Sequence, residues 1–383
     1  MNVFVFSSWF PSRVHPTLGN FNEKFAEAAA LFNDVTAIYV AAEIGLTRKF
    51  ELIESEERGV KKVHIYFPKK EKENAFDKLV KGYRYFKYYK KAYRHAWEQQ
   101  GKPDVIHLNI IYPVGLFVLL LHKFEKIPYV ISENYTGYLK STSIQIKGLR
   151  LWLSRKITNH AARLLPVTVD LKNAMKEHGF QGEYELVPNV TDITHFYPVQ
   201  EKVKRTKKRI IHVSSLDDDH KNVTGILKVM LRLSRERDDF ELHIIGDGDI
   251  KPHLHTRSQL GLTDEHVFFS GEMPPQQIAE AMRESDFFLL FSNYENLPCV
   301  IVEALACGLP VVSSTAGGIA EHITEDLGIL LAPRDKEALY QACHKMLDNL
   351  SQYDANHLHR YAKDHFSYES VGKKLSGVYG EVG

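Results

Sequence analysis

Hydrophobic and polar positions alternate along the chain in blocks, in the order expected of repeated strand–helix units. Short apolar runs typical of buried strands occupy residues 2–6, 35–40, 63–67, 104–107, 129–132, 164–167, 184–187, 210–213, 241–245, 267–269, 287–291 and 310–313. Apolar residues three or four positions apart predict helices at 21–32, 149–157, 169–178, 223–233, 335–347, 356–365 and 369–379. Continuous apolar strands separated by helices are typical of parallel sheets covered on both faces. The pattern therefore predicts an α/β protein with doubly wound parallel sheets.

Two such sheets are expected, because 383 residues are many for one hydrophobic core. Residues 195–209 are rich in charge and have no hydrophobic periodicity, which is typical of a linker. The sequence therefore predicts Rossmann-like domains at 1–194 and 210–366, followed by a C-terminal helix in residues 367–383.

Composition indicates a globular protein without a dominant charge, since the formal net charge is only +1. This balance argues against nucleic acid as a partner. Cys299, Cys307 and Cys343 have no metal-binding spacing and cannot all pair, so we expect a reducing, cytoplasmic setting. The first residues do not resemble a signal peptide, and the longest apolar run, 114–121, is far shorter than the ~20 residues that span a bilayer.

The stretch Ser292–Glu321 contains two carboxylates in an unusual setting. Residues 298–307 are predicted to form a helix, with Pro298 as its first residue and Gly308 just past its end. Glu303 is the only charged residue in that helix, and Glu295 lies eight residues earlier in the loop that precedes it. Carboxylates accept hydrogen bonds from hydroxyl groups, and the amides at a helix N-terminus favour phosphate. This spacing fits a phosphorylated, polyhydroxylated ligand, but it fits solvated surface charges equally well.

The surrounding residues resemble the signature of glycosyltransferase family 4. Glu295 and Glu303 are separated by seven residues, and Ala-x-Ala-Cys-Gly-x-Pro-Val-Val and Gly317-Gly318-x-x-Glu321 follow. The resemblance implies a GT-B fold, in which two Rossmann-like domains face a cleft. The second domain would mainly hold the donor and the first the acceptor, and the last helix would cross back to the first domain. It also implies a retaining, nucleotide-sugar-dependent transferase, with a UDP-sugar favoured as donor. The expected acceptor is a hydroxyl group of a lipid-linked or growing surface saccharide.

The resemblance also implies roles for particular residues. Glu295 would bind hydroxyl groups of the transferred sugar and Glu303 those of the ribose, while Lys221 would bind the diphosphate. Glu295 and Lys221 are the candidate catalytic residues, and no nucleophile is assigned. The further donor-binding candidates are Gly19 and Asn20 after the first strand, Asn134, Ser215, Gly271 and Met273 near the nucleobase, and Asn296 and Leu297 through their amides.

Two of these positions depart from the family pattern. Asn134 stands where family members commonly have a histidine that contacts the donor sugar, so an acid/base role there is in doubt. Ser215 stands where an arginine normally reaches the diphosphate, which removes one cation. Arg13 is a candidate to replace that cation; otherwise diphosphate binding would be weaker. Val190 replaces the usual glycine of the hinge motif.

No cofactor or metal is expected. The run Asp217-Asp218-Asp219 invites comparison with a metal-binding motif, but aspartates just before a helix usually cap it. His107 is a second candidate functional group, although a core histidine satisfied by backbone is the favoured interpretation.

The segment Lys78–Trp97 suggests an anionic membrane surface as a partner. Read as a helix, it has Leu79, Tyr83, Phe86, Tyr93 and Trp97 along one side and Lys81, Arg84, Lys87, Lys91 and Arg94 along another. Such a helix could hold a cytoplasmic enzyme peripherally on the inner face of a membrane. The alternative is a helix that covers the sheet, with its aromatic residues buried and its cations in water.

Two other functions are compatible with the sequence. A nucleotide-sugar 2-epimerase would bind the same donor but needs acid/base groups, and Asn134 counts against it. A non-catalytic nucleotide-sugar-binding subunit would account for both Ser215 and Asn134.

Overall fold

The computed structural model describes residues 1–142, 146–200 and 205–383, which form two compact units. The first unit comprises residues 1–138, 146–190 and 368–383, and the second comprises residues 139–142, 191–200 and 205–367. The boundary therefore lies between Val190 and Thr191 and not in the predicted linker 195–209, of which residues 201–204 lie outside the described residues. The reason is that Phe196 is 3% exposed and packs in the core of the second unit.

The first unit contains a seven-stranded sheet in the order β3-β4-β2-β1-β5-β6-β7. All neighbours are parallel except β3 and β4, which form an antiparallel hairpin. The strands are β1 (Asn2–Ser7), β2 (Asp34–Ile44), β3 (Glu51–Glu57), β4 (Val60–Lys69), β5 (Val105–Asn109), β6 (Tyr129–Glu133) and β7 (Arg163–Pro166). The helices between them are α1 (Asn20–Ala30), α2 (Ala75–Gln100), α3 (Gly115–Glu125), α4 (Gly148–Thr158) and α5 (Val169–Glu177).

The second unit contains a six-stranded, fully parallel sheet in the order β10-β9-β8-β11-β12-β13. Its strands are β8 (Lys208–Ser214), β9 (Phe240–Gly246), β10 (Val267–Gly271), β11 (Phe287–Leu290), β12 (Val311–Ser314) and β13 (Gly328–Leu331). Its helices are α6 (Asp218–Lys221), α7 (Val223–Ser234), α8 (Lys251–Gln259), α9 (Pro275–Arg283), α10 (Cys299–Ala306), α11 (Lys336–Asn349) and α12 (Ala355–Phe366).

Hydrophobic cores lie on both faces of the second sheet. Ile210 and Leu289 pack in one core, and the residues that follow them, Ile211 and Leu290, pack in the other. Successive residues of a strand point to opposite faces, so a strand covered on both sides must be apolar throughout. This explains the continuous apolar runs in the sequence.

The last helix, α13 (Tyr368–Val382), belongs to the first unit and packs on α1. A Cβ atom at Gly372 would lie 2.2 Å from the carbonyl oxygen of Ala28, so only glycine permits this approach. The hydroxyl of Tyr368 donates to Oε2 of Glu27 at 2.5 Å.

One predicted strand is absent from the structure, and two strands of the structure were not predicted. Residues 184–187 form only an isolated bridge, from Tyr184 to Leu164. The pattern missed β3, whose residues are mostly exposed at the sheet edge, and β13, which has only four residues. Arg58 and Gly59 connect β3 to β4 with φ angles of 47° and 77°, the backbone of a tight two-residue hairpin turn.

Candidate active site

The central feature of the second unit is a buried ion pair between Lys221 and Glu295. β8 and β11 are neighbouring parallel strands, so the loops after them meet at the carboxyl edge of the sheet. Lys221 ends α6, which follows β8, and Glu295 lies in the loop after β11. Nζ of Lys221 donates to Oε1 of Glu295 at 2.5 Å, and the same oxygen accepts a 2.7 Å hydrogen bond from Oγ of Ser292.

The environment of Glu295 keeps its carboxylate ionised. Burial raises the pKa of this carboxyl group, but the charge of Lys221 and the nearby His220 outweigh burial and lower the pKa to about 2. The side chains of Glu295 and Lys221 are 6% and 10% exposed. Because desolvation offsets most of the attraction in a buried ion pair, such a pair is weak evidence for stability. The pair places a cation and an ionised carboxylate at the carboxyl edge of the sheet.

His220 and Tyr294 form a wall beside this ion pair that the sequence did not predict. Their rings are parallel within 2°, with centroids 4.2 Å apart. Nε2 of His220 lies 3.6 Å from Oε2 of Glu295, and its carbonyl oxygen accepts from the amide of Asn293 at 2.8 Å. Adjacency to Lys221 was the only sequence signal for His220.

The double glycine of the motif supports the loop that carries Glu295. Gly317 has a φ of 58°, and a Cβ atom there would lie 2.0 Å from the carbonyl oxygen of Glu295. The amide of Gly318 donates to the carbonyl oxygen of Asn296 at 3.0 Å. Asn296 and Leu297 are both buried. Only glycine at position 317 allows this contact, which fixes the backbone of the loop.

Glu303 lies on α10 and is 9% exposed. Pro298 precedes the helix as its N-cap, with ψ at 121°, and is not the first helical residue as predicted. Gly308 follows the helix with a φ of 73°, in agreement with the prediction. The helix N-terminus has no side-chain cap, and Asn296 and Leu297 lie just before Pro298.

The loop after β8 contains Ser215 and approaches the backbone after β9 closely. A Cβ atom at Gly246 would lie 2.0 Å from the carbonyl oxygen of Ser214, and one at Gly248 would lie 3.1 Å from that of Ser215. Leu216 adopts a φ of 50°, which is uncommon for a residue with a side chain. The two glycines therefore allow the loops after β8 and β9 to pack together.

The sequence hypothesis that Arg13 replaces the missing cation meets an obstacle in the structure. In the first unit, Nη2 of Arg13 lies 2.5 Å from Glu43 and 2.6 Å from Glu51. Both carboxylates raise the pKa of Arg13 through hydrogen bonds. The guanidinium group is thus already paired with two carboxylates of its own unit, and its role toward the diphosphate stays a prediction.

Two of the three aspartates before α7 act as caps. Oδ1 of Asp217 accepts from the amides of Asp219 and His220, and Oδ1 of Asp218 accepts from the amide of Thr224 at 2.7 Å. Among the described residues, no group of three or more His, Cys, Asp or Glu side chains is arranged to hold a metal ion.

Gly271 is the last residue of β10, and Met273 lies two residues after it. Gly271 has a φ of 70° and nothing within 4 Å of an added Cβ atom, so its backbone lies open. The side chain of Met273 packs against the core of the second unit.

Three predicted donor-site residues lie in the first unit. Gly19 precedes α1 with a φ of 73°, where a Cβ atom would lie 2.3 Å from the carbonyl oxygen of Trp9. Asn20 is the first residue of that helix. Asn134 follows β6, and its Nδ2 donates to Oδ1 of Asn189 at 2.9 Å.

A buried carboxyl group organises the loop at Asn134. Glu133 is fully buried and accepts from the amides of Ile111, Asn134 and Tyr135 at 2.8 to 3.0 Å. Burial raises the pKa of Glu133, and these amides partly counteract it. The contacts of Glu133 therefore fix the backbone around Asn134.

His107 is a core residue, but side chains satisfy it and not backbone as expected. Its Nε2 lies 2.8 Å from Oγ of Ser132, and its Nδ1 lies 2.7 Å from the hydroxyl of Tyr379 on α13. Complete burial lowers the pKa of His107 to about 3. The imidazole is therefore neutral near pH 7.

The sequence of this chain matches two family models. One is described as Glycosyltransferase Family 4 and matches residues 51–195, and the other as Glycosyl transferases group 1 and matches residues 207–349. Together these matches show a glycosyltransferase of the family 4 type. It is 24% identical over 256 residues to the "Putative teichuronic acid biosynthesis glycosyltransferase TuaC" of Bacillus subtilis. That match covers 63% of this chain and 60% of the relative's length.

Solved structures place this family 4 transferase in the GT-B fold, as predicted. Sucrose-phosphate synthase from Thermosynechococcus elongatus superimposes with a TM-score of 0.77 at 18% identity, covering 100% of this chain and 99% of that one. HepE of Anabaena in complex with UDP gives a TM-score of 0.73 at 15% identity, covering both chains completely. Within the described residues, no helix is both long enough and apolar enough to cross a membrane.

Proposed function

We propose that this transferase moves a sugar from a nucleoside diphosphate sugar, with a UDP-sugar favoured, to a hydroxyl acceptor with retention of anomeric configuration. The observation that carries the proposal is the buried pair of Lys221 and Glu295 at the carboxyl edge of the second sheet. Ligands of doubly wound sheets bind at this edge. HepE, which has the same fold, has been solved with UDP and with UDP-glucose, which supports the choice of donor class.

The proposed chemistry separates charge stabilisation from sugar binding. When the bond between the anomeric carbon and the diphosphate oxygen breaks, negative charge grows on the leaving diphosphate. The ammonium group of Lys221 stabilises that charge, together with amides near Asn296 and Leu297. Glu295 has a second oxygen, Oε2, 3.6 Å from His220, and the ionised carboxylate accepts hydrogen bonds from sugar hydroxyls. Glu303 holds the ribose hydroxyls.

The proposed reaction uses no metal ion. Lys221 and the uncapped N-terminus of α10 are the groups that neutralise the diphosphate. Asp217 and Asp218 are engaged in capping, which supports the interpretation of the acidic run as a helix-starting signal.

We further propose that the acceptor is a lipid-linked or surface saccharide reached at an anionic membrane surface on the cytoplasmic side. The supporting feature is the first half of α2, where Phe76, Leu79 and Tyr83 are 71%, 74% and 71% exposed. These residues recur at helical spacing, and the cations Lys78 and Arg84 beside them are exposed.

The second half of α2 differs from the amphipathic helix that the sequence predicted. Tyr88, Tyr89 and Tyr93 are buried against the sheet, and Tyr89 donates to the carbonyl oxygen of Ser7 at 3.0 Å. Tyr93 therefore belongs to the core and not to a membrane-facing side. The proposed membrane surface is limited to the exposed face formed by Phe76, Leu79 and Tyr83 with the neighbouring cations.

A donor panel and product analysis test this function. UDP-, GDP- and ADP-sugars are screened by thermal shift, and the best donor is then incubated with and without saccharide acceptors. Nuclear magnetic resonance of the products should show transfer with the donor's anomeric configuration. An isomerised nucleotide sugar without acceptor would identify an epimerase, and binding without any transfer or hydrolysis would identify a binding subunit.

A further inference from the structure

A pocket lies in the first unit, at the carboxyl edge of its sheet. The ends of β1, β2 and β4, which are neighbouring parallel strands, form one side, and the first turns of α2 form the other. The cavity has a volume of about 420 Å³. This space is large enough for a small saccharide.

The floor of the pocket is aromatic. Tyr39, Phe67, Tyr85, Phe86 and Tyr112 all line it. Tyr85 is held in place by an edge-on contact with Tyr89, whose ring centroid lies 4.7 Å away. Fixed aromatic rings offer a flat apolar surface that complements the C–H face of a pyranose ring.

The rim of the pocket is positively charged. Lys69, Lys78 and Lys81 line it together with His15, and no carboxylate lines it among the residues that the structure describes. Lys81 forms an ion pair with Glu73. Lys69 and Lys78 have no ion-pair partner in the described part of the chain. The pocket therefore has two uncompensated cations above an aromatic floor.

From this arrangement we infer that the pocket binds a phosphorylated saccharide, as the acceptor end of the reaction proposed above. The sugar ring lies against the aromatic floor, and the phosphate oxygens accept hydrogen bonds from Lys69 and Lys78. A phosphate group gains the attraction of both ammonium groups and a neutral saccharide does not, so the site favours an anionic acceptor. The assignment of this ligand as the acceptor rests on the proposed function. The binding of a phosphorylated saccharide to the pocket does not, and it can be tested separately.

Two sets of variants test the pocket. The double variant Lys69→Gln/Lys78→Gln removes the free cations, and Lys87→Gln/Lys90→Gln is the matched control on exposed positions of α2. Gly82→Leu fills the cavity from its helical wall, where an added Cβ atom meets nothing within 4 Å. This substitution also removes a glycine from a helix interior, so it should not destabilise the fold.

The measurement is calorimetric titration of the full chain with glucose 1-phosphate, galactose 1-phosphate, glucose and UDP. We expect a hexose 1-phosphate to bind the wild type and the control equally. Its affinity should fall about tenfold or more in Lys69→Gln/Lys78→Gln, since hydrogen bonds to charged groups are lost. It should fall likewise in Gly82→Leu, because the leucine side chain occupies the cavity. Glucose should bind weakly to all variants, and UDP equally to all.

Several results would overturn the inference. One is that neither hexose 1-phosphate binds the wild type, and another is that the pocket variants bind it as tightly as the wild type. A third is that the pocket variants lose as much affinity for UDP as for the sugar phosphate, which would assign the pocket to the nucleotide. If the phosphate binds in a lysine-dependent way but UDP does not bind at all, the pocket stands and the proposed transferase function fails. A diphosphate-linked lipid saccharide in micelles, titrated in parallel, distinguishes the lipid-borne source from the free sugar phosphate by its higher affinity.

Discussion

Nζ of Lys221 lies 2.5 Å from Oε1 of Glu295, and both side chains are almost completely removed from water. The two residues are 74 positions apart in the sequence and meet because β8 and β11 are neighbours in the sheet. An ion pair in this position holds a cation and a carboxylate ready at the edge where a doubly wound sheet binds its ligand.

Removing one member of the pair should destabilise the protein more than removing both. Lys221→Met leaves the Glu295 carboxylate buried without its main counter-charge, at a cost of about 3–5 kcal/mol. Lys221→Met/Glu295→Leu should recover much of that loss because no buried charge remains. Urea denaturation of the wild type, both single variants and the double variant measures the coupling. Additive effects of the two substitutions would show that the pair is not coupled.

The lowered pKa of Glu295 predicts a defined acid sensitivity. A folded pKa of about 2 lies below the ordinary value of 4.5, so the carboxylate stabilises the fold above about pH 4.5. That contribution, on the order of 3 kcal/mol, should disappear as the pH falls from about 4.5 to about 2. The free energy of unfolding of the wild type minus that of Glu295→Gln, measured by urea titration at several pH values, should shrink over this range. A pH-independent difference would contradict this expectation.

Gly317→Ala should impair the site through backbone geometry alone. The new Cβ atom would lie 2.0 Å from the carbonyl oxygen of Glu295, and the φ of 58° disfavours a side chain. The loop must move, so we expect turnover to fall about tenfold or more while the second unit remains folded. Gly380→Ala is the control, because an added Cβ atom there meets nothing within 4 Å. Equal activity of the two variants would show that the loop tolerates displacement.

Binding to anionic vesicles should depend on the exposed face of α2. Each Lys or Arg near an anionic surface contributes about 1 kcal/mol, and exposed apolar side chains add burial. Co-sedimentation with liposomes should therefore decrease strongly when Lys78 and Arg84, the exposed cations beside that face, are changed together to Glu. Neutral vesicles should bind less than anionic ones.

A separate variant tests the contribution of the exposed apolar side chains to vesicle binding. Leu79→Ser/Tyr83→Ser removes two exposed side chains without touching the buried half of α2. We expect weaker binding with unchanged stability. Absence of wild-type binding at low salt, or equal binding by all variants, would refute a membrane role for this helix.

The sequence predicted the fold well because both sheets are covered on both faces, which forces apolar strands such as Ile210–Val213 to be continuous. It missed β3 because a charged edge strand has no such constraint. It predicted Glu295 and Lys221 through the family motif, but not their direct contact. Local sequence patterns do not encode tertiary packing, and three contacts of the structure depend on it. These are the Lys221–Glu295 contact, the stacking of His220 on Tyr294, and the hydrogen bond between His107 and Tyr379, which are 272 residues apart.

The central claim is that the second unit holds the donor, with Glu303 on the ribose and Glu295 on the transferred sugar. The most direct measurement compares UDP affinity and turnover of the preferred UDP-sugar in Glu303→Gln and Glu295→Gln. Glu303→Gln should weaken UDP binding about tenfold to a hundredfold, since a hydrogen bond to a charged group is lost. Glu295→Gln should reduce turnover by a similar factor and leave UDP affinity nearly unchanged. Equal losses of UDP affinity in both variants, or full turnover in Glu295→Gln, would contradict this account of the site.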